Sequence, residues 1–153
     1  MTRAMKRPMN RPMNRPEQAL QIHIVQYLAA IEQARRLTFF HPENGGYRTR
    51  AEAGLGKAMG RKAGVPDLVI LSLIGRMHFI ELKAQPPSGK YADDLAAGRR
   101  HVFDDPRLSR EQKAFVAKLV SLGFAVQVCN TVDQVRDALV RWQIIGTEEF
   151  RIA

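Results

Sequence analysis

Apolar residues first recur with helical spacing after Pro16. Leu20, Ile24, Tyr27, Leu28 and Ile31 fall three or four apart, forming the stripe of an amphipathic helix that runs to about Arg36. Pro16 itself suits a first helical turn, where a missing N–H costs nothing. Leu37-Thr-Phe-Phe-His41 reads as a short strand. Two further runs, Asp67-Leu-Val-Ile-Leu-Ser-Leu73 and Met77-His-Phe-Ile-Glu-Leu-Lys83, flank Ile74-Gly75-Arg76 and predict a hairpin. Their two faces are both apolar: Leu68, Ile70, Ile80 and Leu82 on one, Val69, Leu71 and Phe79 on the other. That pattern belongs to central strands covered on both sides.

Downstream, Ser109 caps a helix to Leu122 that Gly123 ends, Phe124–Cys129 forms a strand, and Thr131 caps a last helix to about Trp142. The order helix, strand, hairpin, helix, strand, helix predicts an α/β domain, a mixed sheet flanked by helices. Residues 42–64, rich in glycine, and 85–107, with Pro86, Pro87, Gly89 and Gly98, read as loops. The second is expected to be a mobile surface loop. The expected layout is a flexible basic arm at 1–15, a folded domain at 16–145 and a C-terminal tail at 146–153.

With 153 residues the chain fits one domain with its own core. No apolar run approaches the roughly 20 residues that cross a bilayer, and the N-terminus lacks the apolar segment of a secretory signal. The single cysteine, Cys129, has no internal partner and reads as a buried strand thiol, so a reducing, cytoplasmic setting is expected. Histidines 23, 41, 78 and 101 show no zinc-ligand spacing with it. The formal net charge of +9 favours a polyanionic partner. Residues 1–16 carry Arg3, Lys6, Arg7, Arg11 and Arg15 with no acid, around the repeat Arg-Pro-Met-Asn. This arm either touches a DNA backbone or is a dispensable leader. Five more basic residues, Arg48, Arg50, Lys57, Arg61 and Lys62, interleave with the glycines of 42–64, a composition suited to a phosphate backbone.

The candidate chemistry lies in the hairpin. A symmetric three-residue turn pairs Leu73 with Met77, Asp67 with Lys83 and Val69 with Glu81. Directly opposed and alternate residues share a face, so Asp67, Glu81 and Lys83 project together at one end, and a one-residue slip would scatter them. Close carboxylates repel unless a cation joins them, and Mg²⁺ needs only one or two carboxylates besides water and substrate oxygens. A neighbouring ammonium stabilises charge developing on a phosphate, or orients or deprotonates a water. The plainer alternatives are a turn aspartate after proline and a cross-strand Glu–Lys ion pair.

Gly64-Val-Pro-Asp67 followed by Ile80-Glu81-Leu82-Lys83 resembles the PD-(D/E)XK nuclease signature. Within that superfamily the chain is similar to the VRR-NUC domain, on Pro16-Glu17, His41-Pro-Glu-Asn-Gly-Gly46, Lys62-Ala-Gly-Val-Pro-Asp67, and Leu108-Ser-Arg-Glu-Gln112 leading into Leu122-Gly-Phe-Ala-Val-Gln-Val128. The resemblance covers roughly residues 17–140. It implies a restriction-endonuclease-like fold, Mg²⁺ or Mn²⁺, and cleavage of DNA, with short members resembling Holliday-junction resolvases that act as homodimers. It casts Asp67 and Glu81 as metal ligands, Lys83 as the catalytic lysine and Glu17 as a further acid reaching the metal directly or through water. Glu17 also reads as a favourable charge at a helix N-terminus. Gln112 matches a family position near the site, yet Ser109-x-x-Gln112 is equally a capping box. Asn44 and Arg48 either contact DNA or shape their loop. Residues 85–107 are longer than in short family members, which puts substrate geometry, not chemistry, in question. The leading expectation is a structure-selective endonuclease for branched DNA; the alternatives are a sequence-specific restriction-type enzyme and a non-catalytic DNA-binding module.

Overall fold

The computed structural model describes residues 15–43 and 49–153. Helix α1 (Arg15–Gln33) leads into β1 (Leu37–Phe40) and helix α2 (Arg50–Ala58). Strand β2 (Leu68–Ser72), a 3₁₀ turn (Leu73–Gly75) and β3 (Arg76–Leu82) form the hairpin. Helix α3 (Gly89–Ala96) and a 3₁₀ turn (Val102–Asp104) precede α4 (Arg110–Ser121), β4 (Ala125–Cys129) and α5 (Val132–Arg141). The four strands make one mixed sheet in the order β1-β2-β3-β4. The first three are antiparallel, and β4 joins β3 in parallel. This is the α/β architecture of the restriction-endonuclease type, with the expected elements in the expected order.

The two apolar faces of the hairpin separate as the alternation requires. Leu68, Ile70, Ile80 and Leu82 join Ile24, Leu28 and Ile31 of α1 and Val135 and Leu139 of α5 in the main core. Val69 and Phe79 face α4 through Leu119 and Phe115. Each fully buried Leu or Ile of the main core contributes roughly 1.5–3 kcal/mol on leaving water. The α1/α5 side is therefore the anchored side of the sheet.

The structure corrects three expectations. The segment 42–64 holds a helix, α2, started by a capping box in which Thr49 and Glu52 each bond the other's backbone N–H. Residues 85–107 are not irregular throughout, since α3 and a 3₁₀ turn lie within them. The hairpin register differs by two: Ser72 pairs with Arg76, Leu71 with Met77 and Val69 with Phe79. Ile74 (φ 61°) and Gly75 (φ 71°) both take the left-handed conformation. Their reversal starts β3 one residue early, at Arg76. A shift of two residues keeps every side chain on its face.

Among the described residues, no helix is long and apolar enough to cross a membrane. Beyond α5 the chain does not leave the fold: Ile144 and Ile145 are buried, the Tyr27 hydroxyl donates to the Phe150 carbonyl at 2.9 Å, and Arg36 bonds Glu149 at 2.7 Å.

Candidate active site

Asp67 is the last residue before β2, and continuing the observed register sets it across from Glu81. Its carboxylate accepts the Leu82 backbone N–H at 2.8 Å, and alternation along the strand puts it on the face of Val69, toward α4. The backbone carbonyl of Asp67 accepts from His41 Nδ1 at 2.5 Å, so the end of β1 also holds this residue. Because a carbonyl only accepts, His41 Nδ1 is the donor in this bond.

Glu81 is 1% exposed, the most deeply buried member of the group. Its Oε1 receives two donors, Gln112 Nε2 at 2.5 Å and Lys83 Nζ at 3.1 Å. Its Oε2 is buried and has no hydrogen-bond partner. Lys83 Nζ also donates to Gln112 Oε1 at 3.2 Å. The Gln112 amide therefore ties acid to ammonium, and its Oε1 simultaneously accepts the Ser109 N–H at 2.8 Å. Gln112 thus combines the two roles left open by the sequence: it completes a capping box on α4 and joins the cluster.

The loop leading to Asp67 is seated on the same helix start. Gly64 has φ +79°, and a Cβ there would lie 2.3 Å from the Glu111 carbonyl oxygen and 2.7 Å from the Gln112 nitrogen. Only glycine combines that backbone with that closeness. His41 and Gly64 were not singled out from the sequence as parts of the site. Their signals were present in His41-Pro-Glu-Asn and in the glycine before Val-Pro-Asp.

Burial dominates the electrostatics. Loss of water pushes the Asp67 carboxyl up, against the opposing pull of the Leu82 N–H and the Lys83 and His41 charges. Burial, then the charge of Asp67, pushes Glu81 up to about 7, with Lys83 partly compensating. Glu17, half-buried in the first turn of α1, adds its negative charge to the field at both acids. Among the described residues no three His, Cys, Asp or Glu side chains sit close enough to form a ready-made cation cluster. At Glu81 the charge of Asp67 weighs more than that of Glu17. Arg50, Lys57, Arg61 and Lys62 are exposed on and after α2; Asn44 and Arg48 lie outside the described residues.

Two strand-end acids and an inward lysine occupy the positions of the Pro-Asp and Glu-x-Lys motifs, and a glutamine from α4 bridges two of them. The chain matches the family model of the VRR-NUC domain over residues 7–133. It belongs to the VRR-NUC family. No curated protein and no solved structure matches it. As a VRR-NUC domain it is a nuclease-type, DNA-processing module, and nucleases of this family generally need a divalent metal. In this VRR-NUC domain the fit to such a cation rests on the partnerless buried Oε2 of Glu81 and on two carboxyls that burial holds above their ordinary range. A divalent ion satisfies both demands at once.

Proposed function

We propose that the protein is a Mg²⁺- or Mn²⁺-dependent endonuclease that hydrolyses DNA phosphodiester bonds, selective for branched DNA such as Holliday junctions. The observation that carries this reading is the Glu81–Lys83–Gln112 bonding set beside Asp67, with one Glu81 oxygen left for a cation. Asp67 and Glu81 would hold the metal, which supplies Lewis acidity toward the phosphate and eases ionisation of water. Glu17, whose charge acts on both acids, would reach the metal directly or through water.

The remaining work falls to the chain's own groups. Lys83, whose side chain is 15% exposed, presents a positive charge from a fixed position. Glu81 and Gln112 hold its ammonium, so little reorganisation is needed when charge builds on the attacked phosphate. Gln112 acts as a positioning residue, because it sets both Lys83 and Glu81. The exposed Arg50, Lys57, Arg61 and Lys62 would bind backbone phosphates, together with Asn44 and Arg48. The lone buried Cys129, its thiol pushed up to about 12 by burial, suits the reducing cytoplasm of a bacterial or phage-infected cell. A homodimer follows from the short resolvase-like members of the family, and sedimentation checks it: two copies per particle are expected, and monomer alone rules the dimer out.

Purified protein with branched and linear duplexes, with Mg²⁺, Mn²⁺ or EDTA, tests the activity. Metal-dependent cutting of the junction is expected, falling about 100-fold or more in Lys83→Ala while binding persists. Binding without cutting under either metal would show a non-catalytic module instead.

A further inference from the structure

The end of the sheet remote from Asp67 carries polar groups that the catalytic reading does not use. On β2 and β3 the even-numbered side chains Leu68, Ile70, Ile80 and Leu82 face α1 and α5. Alternation puts Ser72 and Arg76, paired at the hairpin tip, on that same face. Residues just past α5 come against this end of the sheet, where His78 stacks on Trp142 with ring centroids 4.7 Å apart. A cavity of about 210 Å³ lies here, lined by Arg36, Ser72, Arg76, Trp142 and Gln143 together with apolar neighbours.

None of the described residues that line it is acidic. Arg36 gives Nη2 to Glu149 at 2.7 Å, which fixes its guanidinium and leaves other N–H groups for a ligand. Arg76 is exposed, and no ion pair among the described residues engages it. Two arginines against one glutamate leave a positive charge in excess. Arg36 precedes β1 and Arg76 opens β3, so the two approach from either side of β2. A tetrahedral phosphate turns oxygens toward both, and guanidinium forks bind such oxygens through paired N–H bonds. Ser72 and Gln143 add uncharged donors. The volume falls below the roughly 300 Å³ at which pockets for drug-sized ligands begin, so the occupant is small. Ser72 is five residues from Asp67, about 17 Å along the strand, and faces the other side of the sheet. A ligand here leaves the catalytic acids free.

We propose that this cavity is a phosphate site separate from the catalytic acids, taking a small phosphate monoester or free phosphate between Arg36 and Arg76. The inference goes beyond the nuclease reading and does not depend on it.

Trp142 is the only tryptophan of the chain, so its fluorescence reports on the cavity directly. The intact protein in EDTA is titrated with inorganic phosphate and with deoxyadenosine monophosphate. Potassium chloride at matched ionic strength and deoxyadenosine are the controls. A saturable change is expected with either phosphate compound and with neither control. A tighter midpoint for the nucleotide makes nucleotides the source of the phosphate, and equal midpoints make it the free ion; each supports the site. Arg76→Ala should weaken binding about tenfold or more, the scale of lost hydrogen bonds to a charged group, with thermal unfolding in the absence of phosphate unchanged. Lys83→Ala, at the catalytic end, should bind as the intact chain does.

No saturation with either compound by about 10 mM overturns the proposal. So does a response that survives in Arg76→Ala, or one that disappears in Lys83→Ala, because the phosphate would then sit at the catalytic end. Absence of DNA cleavage with Mg²⁺ or Mn²⁺ bears on the nuclease reading alone, and the titration still decides this site.

Discussion

The two oxygens of Glu81 have unlike surroundings, and its protonation follows from that. Oε1 takes donors from Gln112 and Lys83, whereas Oε2 takes none. A carboxyl raised from 4.5 to about 7 favours the folded state when neutral. Its contribution is complete below the unfolded value and is lost as pH climbs through the folded one. In EDTA the protein should therefore lose stability between about pH 5 and 8, by on the order of 2–3 kcal/mol from this group. Glu81→Gln, which still accepts from Gln112 and Lys83, should flatten that decline and be the more stable protein at pH 8. Thermal melts across this range check it, and parallel slopes for both proteins would contradict the assignment. Excess Mg²⁺ should restore the intact protein at pH 8 and leave the variant nearly unmoved. At this scale the sequence reveals residue types and spacing, which sufficed to group Asp67, Glu81 and Lys83 at one end of the hairpin. It did not show that one glutamine amide would serve a helix cap and an acid–ammonium pair together, because that depends on where α4 starts relative to β3.

Among the elements, periodicity located the long helices and strands, whose apolar faces meet a sheet. Helices α2 and α3 escaped it for a physical reason. Arg50–Ala58 carries Gly54 and Gly56 and makes no core-facing stripe, and Gly89–Ala96 follows two prolines and opens on glycine. The readable sign for α2 was its start, Thr49-x-x-Glu52, a reciprocal cap. The hairpin faces were legible from alternation, while its exact register depended on left-handed turn residues that alternation does not encode. The loop into β2 bears a sharper consequence. Gly64→Ala should cost several kcal/mol, since it adds strain at φ +79° to a Cβ 2.3 Å from a backbone oxygen. Gly60→Ala is the comparison: its φ is +89°, but the space around it is open, so about 1 kcal/mol is expected. Urea unfolding measures both; equal losses would mean that contact with α4 contributes nothing.

Across the whole molecule, the sheet has an anchored side under α1 and α5 and a working side under α4. The long passage between β3 and α4 is closed by a buried ion pair. Asp105, 1% exposed, accepts Arg107 Nε at 2.9 Å and Nη2 at 2.6 Å. Arg107 Nη1 also donates to the Gln85 carbonyl at 2.7 Å, two residues beyond Lys83. Tyr91, from α3, bonds the same carboxylate. Arg107→Ala would strand a buried charge, and a loss of about 3–5 kcal/mol is expected in denaturant unfolding. A loss below about 1 kcal/mol would show that water reaches Asp105. The sequence marked this stretch only by its polarity, because a buried aspartate looks the same as a solvated one until its partner is placed.

The tight reversal at Ile74 and Gly75 also has an arithmetic consequence for descent. Strand pleating has a period of two, so a turn that gains or loses residues in pairs slides β3 past β2 without rotating it. Asp67 and Glu81 then still look toward α4. A single-residue insertion or deletion at the tip would send one acid into the oily space beneath α1. Lineages carrying this hairpin should therefore vary its tip in even steps, and the odd ones should be missing.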